Sequence, residues 1–122
     1  MIKLNNYINE AWSGVKKHTN NVEIEAWCEE MGIENYTINS KGEIDVDGNV
    51  WLQSKDFKEL PYKFGKVTSY FSCSQCTNLD SLEGCPKEVE WSFYCYDCKR
   101  KFTTKEVKSL CNVKGKISIW KN

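Results

Sequence analysis

Phe71-Ser72-Cys73-Ser74-Gln75-Cys76 returns as Phe93-Tyr94-Cys95-Tyr96-Asp97-Cys98, with every matched position displaced by the same 22 residues. No other feature constrains the fold as strongly. Each copy of such a repeat is one supersecondary unit that cannot bury its apolar side alone, so the copies must stack. The echo also runs outward. Val50-Trp51-Leu52 precedes the first copy by 21 residues, and Ile117-Ser118-Ile119 follows the second by 24. Leu60-Pro61-x-x-Phe64-x-x-Val67 corresponds to Leu82-x-x-Cys85-Pro86-x-x-Val89. In the next copy that segment reads as helix, because Thr103 and Glu106 stand at capping-box spacing ahead of Val107, Leu110 and Cys111.

Before the repeat the periodicity is helical. Leu4, Tyr7, Ile8, Ala11 and Trp12 mark one amphipathic helix, and Ile24, Trp27, Cys28 and Met31 mark a second. The second is capped at Asn20 or Asn21 and stopped by Gly32. Period two then takes over, with Tyr36-Thr37-Ile38 and Glu43-Ile44-Asp45-Val46 flanking Ser40-Lys41-Gly42. Phe71-x-Cys73-x-x-Cys76 followed by Leu79 and Leu82 resembles the leucine-rich-repeat consensus, although Leu79 lies three rather than two residues after the Cys position. The resemblance covers roughly residues 46–120. It implies an α+β fold in which two N-terminal helices (residues 1–35) cap a short leucine-rich-repeat-like β stack of about four coils (residues 36–122) within one compact domain.

At 122 residues the chain is long enough for one modest core. Its 17 basic and 17 acidic residues balance, so no global charge points to nucleic acid. The balance conceals an asymmetry. Residues 1–65 carry 11 acids and 7 bases, a net of −4, and residues 66–122 carry 6 acids and 10 bases, a net of +4. No apolar run reaches the length of a membrane span, and the N-terminus lacks a secretory pattern. Seven cysteines without an export signal indicate a reducing, intracellular compartment.

The cysteines admit two readings. Cys73, Cys76, Cys95 and Cys98 form C-x2-C-x18-C-x2-C, a spacing suited to one structural zinc. Alternatively, Cys73 and Cys95 are apolar strand positions while Cys76 and Cys98 occupy the Asn/Cys ladder position. The cysteine-free copy around Val50, Leu60 and Val67 favours the second reading, which needs no cofactor. A thioredoxin-like role would require the C-x-x-C to open a helix, and Thr77-Asn78-Leu79-Asp80 does not continue as one. Cysteine hydrolase chemistry needs a base, but the single His18 lies in a polar linker. Asp45-Val46-Asp47-Gly48-Asn49 departs from a calcium loop, since Gly comes fourth and Asp56 twelfth. The expectation is a non-enzymatic chain.

Two resemblances bear on biology. Tyr7-Ile8-Asn9-Glu10-Ala11 is similar to the end of the capsid-targeting leader of internal head proteins in T-even-type phages, which implies protease cleavage between Glu10 and Ala11. Residues 42–50 and 82–89 are similar to segments of short repeat proteins in tailed phages of gut bacteria. They imply a phage or prophage accessory protein that binds a host or phage complex, such as a ribonucleoprotein, in the bacterial cytoplasm. Its concrete form is an inhibitor of a defence complex such as a CRISPR effector nuclease. The alternatives are a virion-packaged head protein and a zinc-stabilised nucleic-acid binder. Contact residues are expected at Trp91, Tyr94 or Tyr96 and along Lys99-Arg100-Lys101, because aromatic and arginine side chains dominate binding hot spots. Strand edges also leave a homodimer open.

Overall fold

The computed structural model describes residues 21–120. Its first element is helix α1 (Asn21–Met31), which buries Ile24 and Cys28. A Schellman motif ends it: Gly32 has φ +74, its N–H donates to the Glu29 carbonyl, and the Ile33 N–H donates to the Cys28 carbonyl. Strands β1 (Tyr36–Ile38) and β2 (Ile44–Val46) then form an antiparallel hairpin. Its turn is closed by Asn39 Oδ1, which accepts the N–H groups of Lys41 and Glu43.

The remaining elements wind as a coil. They are β3 (Val50–Trp51), β4 (Phe64–Val67), β5 (Phe71–Ser72), β6 (Glu88–Val89), β7 (Phe93–Tyr94), helix α2 (Thr104–Leu110), β8 (Asn112–Val113) and β9 (Ile117–Ser118). One sheet has the order β1-β2-β4-β6-β8, the other β3-β5-β7-β9, and every pairing except β1–β2 is parallel. The chain climbs from the first sheet through a tight corner to the second and returns by a longer loop. It is a small β-solenoid of about three turns.

This corrects the expected leucine-rich-repeat-like stack capped by two N-terminal helices. Such a stack has strands on one side only, whereas here the second half of each repeat is also a strand. Val46, Val67, Val89 and Val113 stand in register and form a second parallel ladder, of which only the strand at Val46 was expected. Only the last turn uses a helix, and its capping box is present: Thr103 Oγ1 accepts the Glu106 N–H while Glu106 accepts the Thr103 N–H. The two helices therefore stand at opposite ends in sequence. The helix expected over residues 4–12 lies outside the described residues.

Register explains the core. Val50, Phe71, Phe93 and Ile117 form one inward column, and Phe71 lies 5.3 Å from Phe64 and 5.4 Å from Phe93 between ring centroids. Leu52, Cys73 and Cys95 are buried beside that column. Burying each large apolar side chain contributes roughly 1.5–3 kcal/mol. Helix α1 closes the first turn, with Trp27 set edge-on to Phe64 and Tyr62. Three equivalent corners use non-glycine residues in the left-handed region: Ser54 (φ 61), Gln75 (φ 61) and Asp97 (φ 58). Each costs on the order of 1–2 kcal/mol, which the surrounding ladder offsets.

Candidate partner-binding face

The outer surface of the second sheet carries a cluster of four aromatic rings. In the triplets Val50-Trp51-Leu52, Phe71-Ser72-Cys73 and Phe93-Tyr94-Cys95 the flanking residues point inward, so the middle residue points out. Trp51, Ser72 and Tyr94 are thus neighbours across three strands. Strands two apart are separated by about 10 Å, yet the Trp51 and Tyr94 ring centroids are 6.3 Å apart with planes 22° from parallel. Both rings lean over the small Ser72, which is only 1% exposed although it belongs to the outer face. Tyr70, at the corner before β5, lies 5.7 Å from Trp51, 6.0 Å from Tyr94 and 5.2 Å from Trp91. Trp91 and Trp51 remain 54% and 47% exposed. Open, contiguous aromatic surface of this kind marks interaction sites.

The expected contact residues divide. Trp91 and Tyr94 belong to the ring cluster. Tyr96 is half-buried, its N–H donates to Ser74 Oγ, and among the described residues it makes no ring contact with the cluster. The basic run is engaged within the chain. Lys99 is 3.8 Å from the Asp80 carboxylate. Arg100 grips Glu106 with two bonds of 3.1 and 2.7 Å and donates a third to the Asp80 carbonyl. Lys101 Nζ sits 2.9 Å from the centroid of the Trp120 ring. The Arg100 guanidinium and then the Thr103 N–H hold the Glu106 carboxyl down at about 2. Lysines and an arginine tied in this way do not form an open row for phosphates.

Trp51 and Tyr70 complete the cluster and were not among the expected contacts. Strand alternation and the repeat offset carry the signal for Trp51. Tyr70 sits at a corner, where alternation is lost.

The cysteines form columns along the stack. Cys73 and Cys95 point into the core. Cys76 Sγ donates to the Leu52 carbonyl at 2.8 Å, and Cys98 Sγ donates to the Cys73 carbonyl at 3.3 Å. Each thiol thus satisfies a carbonyl of the preceding turn. A side-chain hydrogen bond with Cys85 and then burial push the Cys73 thiol well up, while burial is the main cause at Cys76, Cys95 and Cys98, the last reaching about 12. Nucleophilic attack needs the thiolate, which these surroundings disfavour. Among the described residues, no three His, Cys, Asp or Glu side chains converge on a position that could hold a metal. Asp45, Asp47 and Asn49 likewise serve the ladder, accepting from Lys66 N–H, Thr68 Oγ1 and Tyr70 N–H of the next turn. Glu10, Ala11 and His18 lie outside the described residues.

Comparison of the chain with protein-family models, with curated proteins and with solved structures finds no match.

Proposed function

We propose that this chain is a non-enzymatic protein-binding module that engages its partner through Trp51, Tyr70, Trp91 and Tyr94. The observation that carries this reading is the exposure of two tryptophans within one contiguous ring cluster on a rigid parallel sheet. Tryptophan and tyrosine supply large contact area at low entropic cost, because few rotatable bonds must be frozen. Strand pairing fixes the backbone beneath Trp51 and Tyr94, so the surface is preorganised. The phage-protein resemblance gives the proposal its biological form: an accessory factor that occupies a surface of a bacterial defence complex, such as a CRISPR effector nuclease, and so blocks it.

The test is affinity purification from bacterial lysate, with and without nuclease treatment, using the wild type, a Trp51→Ala/Trp91→Ala double variant and a Lys66→Ala/Glu90→Ala double variant. A partner retained by the wild type and the Lys66/Glu90 variant but lost by the tryptophan variant is the expected outcome. A partner retained equally by all three would refute the assignment of the face.

A further inference from the structure

The two ends of the solenoid are finished differently. Helix α1 and the β1–β2 hairpin cover the first turn, where Ile24, Cys28 and Ile44 are buried. At the other end the inward columns run on to Val113, Ile117 and Ile119, which pack on the core but are only half-buried. Among the described residues, strands β8 and β9 are the last in their sheets, each paired on one side only. The hydrogen-bond pattern shows what that edge offers. Phe71 and Cys73 N–H donate to carbonyls of the following turn, and so do Phe93 and Cys95 N–H, to Lys116 and Ser118. The same screw aims the Ile117 and Ile119 N–H groups past the last rung. A recess of about 490 Å³, bordered by Lys108, Leu110, Cys111 and Val113, opens at the neighbouring junction of α2 and β8.

We infer that this last rung is a strand-addition site that takes an extended, acid-flanked segment of a partner protein. An incoming strand would accept from Ile117 and Ile119 N–H while its apolar side chains cover the half-buried column, as in β-augmentation generally. Charge selects the occupant. No Asp or Glu follows Glu106 in the sequence, whereas Lys108, Lys114 and Lys116 lie along the last turn. Lys114 is shared with Glu88 and Glu90, but no ion pair engages Lys108 or Lys116 among the described residues. A second copy joined end to end through this rung would set lysines against lysines, so acid-flanked strands are favoured over self-pairing.

Fluorescence anisotropy of the full chain at low ionic strength tests this with two labelled peptides. They share a Val-Thr-Val-Thr-Val centre and carry two glutamates or two lysines at each end. The acidic peptide should bind at least about tenfold more tightly, the equivalent of a few rim charge pairs. Ile119→Pro, which removes one edge N–H, should abolish binding. Lys116→Glu leaves the backbone donors in place and should cut the preference to roughly threefold or less, so the test survives if the proline variant misfolds. Trp51→Ala should keep the affinity within about twofold, which separates this site from the aromatic face. Equal binding of both peptides, no binding of either, or indifference to both rung variants would overturn the inference. So would concentration-dependent dimerisation that Ile119→Pro removes, because the occupant would then be a second copy.

Discussion

The two outer faces of the solenoid are built on the same register and finished with opposite chemistry. On the first sheet, Lys66 pairs with Glu90 at 3.4 Å, and Lys114 reaches Glu88 at 3.1 Å and Glu90 at 3.7 Å. Lys87 closes on the buried Glu43, whose carboxyl it holds below the usual range. Charge meets charge along that surface, so it is satisfied without a partner. On the second sheet the corresponding surface holds Trp51, Tyr70, Trp91 and Tyr94, with uncharged Ser72 beneath the rings. A stack of this kind has no need to leave these two tryptophans open to water for its own stability. The contrast is what favours the aromatic face for the proposed interaction surface: one face is finished internally by ion pairs, and the other leaves its rings open.

The comparison can be broken first through the core that both faces share. Phe71→Ala removes the ring between Phe64 and Phe93 and should cost about 3–5 kcal/mol in urea unfolding. A loss under about 1 kcal/mol would mean that the two sheets do not enclose one core. Next, Trp51→Ala or Trp91→Ala should weaken partner binding by about 2 kcal/mol or more by calorimetry. Stability should change by only about 1 kcal/mol in the same variants. Ser72→Leu should force the Trp51 and Tyr94 rings apart and cost about 1–3 kcal/mol, whereas Lys66→Leu on the opposite face should cost under about 1.

Glu90→Gln removes the shared acceptor of Lys66 and Lys114 and should cost no more than about 1 kcal/mol at low salt, fading as salt screens the ladder. The smallest effect is acid dependence at Glu106. Its folded-state value is held near 2, below the ordinary 4.5, so the stabilisation is fully present above pH 4.5. It is lost as pH falls through the folded value. An NMR titration of the Glu106 carboxyl should show that midpoint, and Arg100→Ala should move it upward.

Much of this was legible because the repeat, the alternation and the caps are local. The four strands of the second sheet, the Gly32 stop and the Thr103–Glu106 capping box all follow from residues close in sequence. The second ladder was not legible. Val89 stands alone among Lys87, Glu88 and Glu90, and Asn112–Val113 follows directly on a helix, so neither displays an alternation, and only pairing across the turns makes them strands. Tyr94 could be placed on the outer face by alternation, and Trp91 only by its type. The fate of Lys99-Arg100-Lys101 depends on Asp80, Glu106 and Trp120 folding back onto the run, which spacing alone does not reveal.

Hydroxyl-radical footprinting of the captured complex against the free chain tests the assignment of the two faces most directly. Loss of labelling at Trp51, Tyr70, Trp91 and Tyr94, with Lys66 and Lys114 labelled as before, is the predicted result. Protection along Lys66, Glu90 and Lys114, with the four rings still fully reactive, would contradict it.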